Sequence, residues 1–251
     1  NRTVSITDAN GRTTQFTGRY IVIATGASAL VPPIDGIDTV NPLTNEDLFE
    51  REALPPCLGI VGAGPIGTEM AQAFSRLGSN VTVFEMADRI LTNDDAELAD
   101  RLQTVLEEEG VQYMLEAGVE SVSQTEEGIL VTANTHSGSL SVEVDALLMA
   151  TGRVPNVDGL HLDAAGVEYS RHGVPVDNTC RTNQPHIFAV GDVTGRYQFT
   201  HMSGHMAKVA VTNALLKVPS SIDTDHVPWV TYTDPELAHI GAFPDELDDD
   251  G

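Results

Sequence analysis

The stretch "GIVGAGPIGTE", residues 59–69, decides the fold of this chain. It follows an apolar run, opens a helical pattern, and carries three glycines in the spacing G-x-G-x-x-G. The first glycine permits a tight turn, the second lets backbone approach a pyrophosphate, and the third lets helix and strand pack closely. The helix N-terminus offers unpaired N–H groups and a partial positive charge. The predicted dinucleotide site comprises Gly62, Ala63, Gly64, Pro65, Ile66 and Gly67.

A carboxylate stands at the end of the next strand, "VTVFE", where Glu85 lies 18 residues beyond Gly67. A carboxylate there accepts hydrogen bonds from both hydroxyls of an adenine ribose and repels a 2′-phosphate, which favours NAD over NADP. Arg89 lies close enough in sequence to leave NADP open. The alternative is a glycine-tight turn with an exposed glutamate.

The segments that follow residue 56 alternate between strand and helix patterns, as in a parallel sheet with crossover helices. Short alternating strands are expected over 119–144 and a buried strand over 146–152. The fold class is therefore α/β. The alternating segments are "CLGIV", "PIGTEMAQAFSRLG", "NVTVFE" and "DDAELADRLQTVLEEEG".

The two ends of the chain carry further strand signals. Asn10-Gly11 between alternating runs predicts a hairpin whose turn has positive φ at both central positions. A second buried strand, in "HIFAVGDVTG" (186–195), runs onto a glycine and a carboxylate, and a helix is expected over 200–217. The segment 227–241 starts a new strand.

The composition restricts the class of protein. With 37 acidic and 13 basic residues the net charge is −24, which disfavours nucleic acid as a partner. It favours adaptation to a high-salt cytoplasm, with a solvated, self-repelling surface as the alternative. No long apolar run and no signal peptide occur, so neither a membrane nor a secreted protein is expected. The start without Met suggests a piece of a longer protein. Cys57 and Cys180 lack metal or disulfide spacing and are expected to be buried.

Two histidines at helical spacing, His201 and His205, raise the question of a metal site. Two ligands without a third nearby do not make a structural or catalytic site. No metal is expected.

Five motifs occur in the order found in flavoprotein disulfide reductases of the dihydrolipoamide dehydrogenase, glutathione reductase and mercuric reductase family, which the chain resembles throughout its length. The resemblance implies two Rossmann-like dinucleotide-binding domains, the NAD domain inserted in the FAD domain, and the start of an α+β dimerisation domain. The implied bounds are 1–54 and 154–224 for FAD, 55–153 for NAD(P), and 225–251 for the dimerisation domain. The motifs are "IVIATGASALVPPIDGID", "IVGAGPIGTE", "LLMATGRVPNVDGL", "RTNQPHIFAVGDV" and "VPWVTYTDPELAHIG".

The resemblance also implies roles for residues at the FAD site. Asp192 corresponds to the carboxylate that binds the flavin's ribityl chain, with a simple turn or N-cap Asp as the alternative. The segment 198–201 corresponds to backbone N–H groups and a helix N-terminus that face the flavin, where Thr200 is also a candidate helix cap. The implied FAD residues are Thr25, Gly26, Ala27, Arg153, Gly191, Asp192, Gln198, Phe199, Thr200 and His201. For the glycine turns at Gly26 and Gly152 the alternative is a purely topological role, since a buried strand end needs a glycine to turn.

At the NAD site the resemblance adds Glu69, which corresponds to a carboxylate that meets the nicotinamide, and Gly152, which lines the site. The alternative for Glu69 is an ordinary acid in the first helical turn. Pro65 stands where several members carry a gating tyrosine, so such a gate is not expected. The family's first glycine motif, its C-x-x-x-x-C pair and its His-Glu base are absent from these 251 residues and, by the resemblance, would lie before residue 1 and after residue 251, so no catalytic residue is assigned here.

The resemblance implies an FAD- and NAD(P)H-dependent oxidoreductase that acts on a disulfide, a dithiol or Hg(II), closest to mercuric reductase and next to dihydrolipoamide dehydrogenase. The implied partners are a small-molecule or ion substrate and a second copy in a homodimer, without nucleic acid or membrane. The alternatives are a non-catalytic NAD-binding module and another flavoprotein with two dinucleotide sites. A cytoplasmic location is expected.

Overall fold

The computed structural model describes residues 2–243, which form two compact units. The first unit comprises the segment that ends at Ser28 together with Arg153–Val227. The second comprises Ala29–Gly152 and the segment that begins at Pro228.

The strands are β1 (Thr3–Thr7), β2 (Thr13–Thr17), β3 (Ile21–Ile23), β4 (Ala27–Ala29), β5 (Cys57–Val61), β6 (Asn80–Phe84), β7 (Gln112–Met114), β8 (Gly118–Gln124), β9 (Ile129–Thr135), β10 (Gly138–Val144), β11 (Ala146–Met149), β12 (Arg153–Pro155), β13 (Ile187–Ala189), β14 (Trp229–Thr231) and β15 (Leu237–His239). The helices are α1 (Pro65–Leu77), α2 (Ala96–Glu108), α3 (Leu162–Ala165) and α4 (Thr200–Val211).

A parallel sheet with the order β11-β5-β6-β7 forms the centre of the second unit. Its strands are near-continuous apolar runs because helices and a second sheet cover its faces; Leu58, Ile60 and Leu148 are fully buried. Successive strands β6 and β7 lie on one side of β5, and β11 lies on the other. The chain therefore changes direction of winding at β5, and the loop after β5 lies at the position where open α/β sheets bind ligands. The predicted α/β class with a parallel sheet is confirmed.

The helices of this unit begin and end where the sequence places their signals. Helix α1 has Pro65 at its first position and ends at Gly78, whose φ of +107 suits glycine. Helix α2 is capped by Asp95, whose carboxylate accepts a hydrogen bond from the N–H of Leu98 at 3.0 Å.

A three-stranded antiparallel sheet, β8-β9-β10, completes the core of the second unit. Its inward residues Val131 and Ala133 are fully buried and belong to the same apolar cluster as Leu147 and Met149. The hairpin β14-β15 also belongs to this unit, since Leu237 is part of the cluster beneath α1 and α2. The expected bounds of the last segment extend to 251, and residues 244–251 lie outside the described residues.

The first unit contains the parallel pair β3-β13, the hairpin β1-β2 and the pair β4-β12. Helix α4 buries Met202 and Met206 against Phe188 of β13. The helix expected over 200–217 is α-helical only to Val211 and continues as one π-helical turn, Thr212–Leu216.

The first hairpin is confirmed, but its predicted turn is wrong. Strands β1 and β2 are joined by five residues, and of the pair Asn10-Gly11 only Gly11 has positive φ, at +80. The carboxylate of Asp8 accepts hydrogen bonds from the N–H groups of Asn10 (3.0 Å) and Arg12 (2.9 Å). This side-chain closure allows the longer loop.

Two sequence expectations concern burial. Cys180 is fully buried, as expected, but Cys57 is only half-buried because it begins β5 at the edge of the core. Within residues 2–243 no helix is both long and apolar enough to cross a membrane.

Candidate functional site

The glycine loop between β5 and α1 has the close contacts that its glycines predict. Gly62 has φ +102, and its N–H donates to the carbonyl of Phe84 at 2.8 Å. A Cβ placed on Gly67 would lie 1.9 Å from the carbonyl oxygen of Gly62. Only glycine at residue 67 lets α1 approach the strand end this closely.

Gly64 has a different environment from the other two glycines. A Cβ placed there would meet no heavy atom within 4 Å, and no side chain caps the N-terminus of α1 at this residue. Pro65 is exposed, Ile66 is half-buried and Ala63 is 1% exposed. Gly64 therefore faces open space at the positive end of a 13-residue helix, an environment that favours an anionic group.

Glu85 follows β6 and is tied to the same loop. Its Oε2 accepts the N–H of Ala63 at 2.7 Å and its Oε1 accepts the N–H of Ala87 at 2.9 Å. A carboxylate has about four acceptor positions, so two remain for the hydroxyls of a ribose. The acid expected to read the ribose is therefore also a structural support of the glycine loop.

The position of Arg89 in the sequence left the choice between NAD and NADP open, but in the structure its guanidinium is already bonded and does not suit binding of a 2′-phosphate. Its guanidinium donates to four backbone carbonyls and so caps the turn that precedes α2. The acceptors are Ile90 (3.3 Å), Leu91 (2.9 Å), Thr92 (2.9 Å) and Asp94 (3.2 Å).

Glu69 has a partner that the sequence did not reveal. It is the fifth residue of α1 and lies beyond the first turn, so the alternative of an ordinary first-turn acid is wrong. Its Oε1 accepts the backbone N–H of Tyr232 at 2.8 Å. Glu69 therefore links the glycine-loop helix to the residue that follows β14.

Gly152 lies three residues beyond β11, which ends at Met149, so the strand expected over 146–152 is shorter than predicted. Its φ is +121, a Cβ there would meet no atom within 4 Å, and its carbonyl accepts the N–H of Leu30 at 2.9 Å. Thr151 donates its hydroxyl to the carbonyl of Leu30 at 2.7 Å. The second unit thus presents glycine turns at the ends of β5 and β11, two neighbouring strands.

In the first unit the turn formed by Thr25, Gly26 and Ala27 is held by Asn156. The Thr25 hydroxyl donates to the carbonyl of Asn156 at 2.7 Å, and the Asn156 amide donates back to the carbonyl of Thr25 at 3.0 Å. The N–H of Asn156 donates to the carbonyl of Gly26 at 2.9 Å, and Ser28 donates to Asn156 Oδ1 at 2.9 Å. The sequence reasoning missed Asn156, although it lies in one of the five quoted motifs.

Asp192 and Arg153 are brought together, although they are 39 residues apart. Arg153 Nε lies 3.4 Å from Asp192 Oδ2, both side chains are about one-fifth exposed, and Arg153 also donates to the carbonyl of Ala27. Gly191 has φ +74, and a Cβ there would lie 2.9 Å from Ser203 Oγ of α4. The carboxylate is therefore fixed at the end of β13 by a glycine turn and a cation.

The segment 198–201 leads into α4 as expected, but Thr200 does not cap it. The N-cap position is Phe199, without a side-chain cap, and Thr200 is the first helical residue. Phe199 and His201 stack with ring centroids 5.5 Å apart, and Gln198 is half-buried. The partial positive charge at this helix N-terminus suits an anionic ligand group.

The buried Cys180 is poorly suited to redox chemistry. Burial raises the pKa of the Cys180 thiol to about 11, helped by the nearby carboxylate of Asp177. A thiol with so high a pKa is a poor nucleophile near neutral pH. Residues 2–243 contain no cluster of three or more His, Cys, Asp or Glu side chains that would hold a metal ion.

The comparisons with known proteins agree on one family. The family described as pyridine nucleotide-disulphide oxidoreductase matches residues 1–207. A mercuric reductase of Lysinibacillus sphaericus is 33% identical over 248 residues, which cover 98% of this chain and 45% of that protein. A dihydrolipoyl dehydrogenase of Bacillus subtilis (strain 168) is 38% identical over 223 residues, 88% of this chain and 48% of that protein. The solved structure of the HOCl-induced flavoprotein disulfide reductase RclA from Escherichia coli has a TM-score of 0.84 at 36% identity and covers 93% of this chain and 53% of that one.

The α/β fold, the glycine loop and these matches define an oxidoreductase class. The chain belongs to the pyridine nucleotide-disulphide oxidoreductase family. It spans about half the length of the curated relatives it matches.

Proposed function

We propose that the second unit binds NAD(H) through the glycine loop and Glu85. The observation that carries the proposal is the pair of hydrogen bonds from the N–H groups of Ala63 and Ala87 to the Glu85 carboxylate, next to the open face of Gly64. The carboxylate repels a 2′-phosphate, and the Arg89 guanidinium donates to four carbonyls instead of facing outward. NAD is therefore favoured over NADP. Gly152 and Glu69 complete the proposed NAD site.

We propose that the first unit contributes to binding FAD. The fixed carboxylate of Asp192 suits the hydroxyls of a ribityl chain, and the start of α4 suits the electron-rich edge of the flavin. The contributing residues would be Thr25, Gly26, Ala27, Arg153, Gly191, Asp192, Gln198, Phe199, Thr200 and His201. With both cofactors bound, the nicotinamide and the flavin supply hydride and electron transfer, while this chain binds and orients them.

The proposed domains follow the family pattern. Residues 1–54 and 154–224 belong to a two-part FAD domain, 55–153 to an inserted Rossmann-like NAD domain, and residues from 225 begin a dimerisation domain. The course of the chain supports an insertion, because it leaves the first unit at Ser28 and returns to it at Arg153, although residues 29–54 of the proposed FAD domain fall within the second unit. A cytoplasmic homodimer is proposed for the whole protein.

For the whole protein we propose reduction of a disulfide or of Hg(II), with mercuric reductase preferred and dihydrolipoamide dehydrogenase second. The named relatives support this choice. The chain itself lacks a C-x-x-x-x-C pair, so we expect these 251 residues alone to have little NADH-dependent disulfide or Hg(II) reductase activity. Turnover at a rate typical of enzymes, about 1 s⁻¹ or more, would contradict this expectation.

A charge placed on the open glycine tests the NAD site without disturbing the fold. Gly64→Asp fills empty space and is a good helix N-cap, so it should fold at least as stably as the wild type. Either side chain fills the space that the pyrophosphate would take, and the Asp carboxylate also repels it, so NADH affinity measured by calorimetry should fall at least about tenfold in Gly64→Asn and further in Gly64→Asp. Wild-type NADH affinity in both variants would refute the proposed phosphate site.

A further inference from the structure

One face of helix α1 holds the backbone of the segment that follows β14. Glu69, Gln72 and Arg76 are spaced by three and four residues and so lie on the same side of the helix. Each of them contacts residues 232–234 through hydrogen bonds. The contact lies wholly within the second unit.

Gln72 pairs with Asp234 as a neighbouring strand would. Its Oε1 accepts the N–H of Asp234 at 2.8 Å, and its Nε2 donates to the carbonyl of Asp234 at 2.7 Å. Gln72 is only 4% exposed, so both bonds are shielded from water. Leaving such buried groups unpaired is costly, which makes this pairing specific to an amide side chain.

Arg76 and Glu109 reinforce the same contact. Arg76 donates to the carbonyl of Asp234 at 3.2 Å, and its Nη1 lies 3.1 Å from Asp234 Oδ2. Glu109, at the end of α2, accepts two hydrogen bonds from Arg76 (2.9 and 2.6 Å) and one from Gln72 (3.1 Å). The hydrogen bonds from Arg76 hold the pKa of the Glu109 carboxyl below its ordinary value. Gln72, Arg76 and Glu109 are called the polar clamp below.

The clamp determines where the N–H of Tyr232 lies, because Tyr232 is two residues before Asp234. That N–H donates to Glu69 Oε1 and so selects one orientation of the Glu69 side chain. The other carboxylate oxygen is left as an acceptor, which suits the N–H₂ of a carboxamide.

We propose that the polar clamp consists of positioning residues, which orient the Glu69 carboxylate toward a nicotinamide carboxamide by fixing the 232–234 backbone. The inference rests on the proposed NAD site. It assigns to the clamp a part in recognising the nicotinamide half of the cofactor and none in recognising the ADP half, which the glycine loop and Glu85 bind.

The test compares two ligands that differ only in the nicotinamide half. NADH and ADP-ribose are titrated by calorimetry into the 251-residue wild type, Gln72→Met and Arg76→Met. Gln103→Met in α2 is the matched control, because the Gln103 amide donates a hydrogen bond to Glu107 four residues along the same helix and, among the described residues, none to segment 232–234. Trp229 is the single tryptophan of the chain and stands in β14, so its emission reports directly whether the clamped segment is displaced.

We expect Gln72→Met to raise the Kd for NADH about tenfold, to leave the Kd for ADP-ribose within about twofold, and to shift Trp229 emission. Arg76→Met, at a half-exposed position, should act in the same direction without threatening the fold. The control should change none of these values.

The outcomes separate this inference from the proposed function. A wild type that binds neither ligand refutes the NAD site and the inference with it. If the wild type binds both ligands equally, the proposed site for the ADP half is supported, but the proposed contact of Glu69 with the nicotinamide, and the inference with it, is refuted. If the wild type prefers NADH and the clamp variants keep that preference, or lose affinity for both ligands equally, the clamp is purely structural and the inference is overturned.

Discussion

The Glu85 carboxylate has two roles in the proposed site, and replacing it with an amide separates them. In a Glu85→Gln variant the side chain has one oxygen, which can accept the N–H of either Ala63 or Ala87. Its other end carries an NH₂ group that faces the second N–H, so two donors oppose each other. The Glu85→Gln variant therefore keeps the shape of the side chain but not its hydrogen bonds.

The size of the effect follows from these two bonds. An unpaired buried donor costs about 1–3 kcal/mol, and the bond that remains loses its charge assistance. Ala63 is 1% exposed, whereas Glu85 is half-buried, so a total of about 2 kcal/mol is appropriate. For a protein of this length that corresponds to a fall in Tm of roughly 4–8 °C. NADH affinity should fall about tenfold or more, since the ribose also loses an acceptor.

The assay is a thermal melt combined with calorimetric titration of NADH and NADPH. Glu97→Gln removes the same charge from an exposed site on α2 and is the matched control. We also expect Glu85→Gln to gain no useful NADPH affinity, because the Arg89 guanidinium remains bonded to four carbonyls. For a protein of this length, 1 kcal/mol corresponds to roughly 2–4 °C in Tm. A variant that melts within about 1 °C of the wild type and binds NADH normally would therefore refute the structural role of Glu85. A large gain in NADPH binding would refute the explanation of specificity.

Three further predictions concern stability and reactivity. Burial raises the pKa of the Asp94 carboxyl above its ordinary 3.8, although the Trp229 indole N–H donates a hydrogen bond to it at 2.8 Å. Because the folded protein favours the protonated carboxyl, the free energy of unfolding decreases as the pH rises through the pKa that Asp94 has in the folded state. Asp94→Asn should therefore melt higher than the wild type at pH 7, with the difference vanishing as the pH falls to 3.8 and below, and an equal difference at both pH values would contradict this. Iodoacetamide at pH 8 should label the half-buried Cys57 and leave Cys180 unmodified until the protein is denatured, since burial raises the pKa of the latter thiol to about 11; mass spectrometry measures this, and rapid labelling of Cys180 would exclude a stably buried thiol. With a net charge of −24, the chain should melt higher in molar KCl than in dilute buffer, and a Tm that does not rise would dismiss salt adaptation.

Much of the second unit could be predicted from local patterns. The continuous apolar runs of β5 and β11 indicate a covered parallel sheet, and Pro65 and Gly78 mark the ends of α1. The glycine spacing predicts a tight loop at the strand end, because a side chain at residue 67 would clash with the carbonyl oxygen of Gly62, only five residues away. Such signals are short-range, so one sequence is enough to read them.

The hairpin turn and the cysteines show where local reading stops. Asn10-Gly11 favours a two-residue turn, but the Asp8 carboxylate stabilises a five-residue loop by binding two N–H groups. Cysteine is a residue type that is usually buried, but Cys57 stands at the start of β5 and is therefore only half-buried. Both the length of the hairpin loop and the burial of Cys57 depend on which residues lie nearby in the folded chain, and residue type alone does not specify them.

By itself, the sequence determined the α/β class, the glycine loop and the acid at the end of β6, because each depends on patterns within short segments; the order of five such motifs determined the family resemblance. Only the tertiary structure decided what the polar side chains bind. It directs Arg89 to four carbonyls, pairs Arg153 with Asp192, and brings Asp234 to Gln72 across 162 residues. Hydrogen bonds and ion pairs act over about 3 Å, and distances of that size between segments far apart in sequence exist only after the chain has folded.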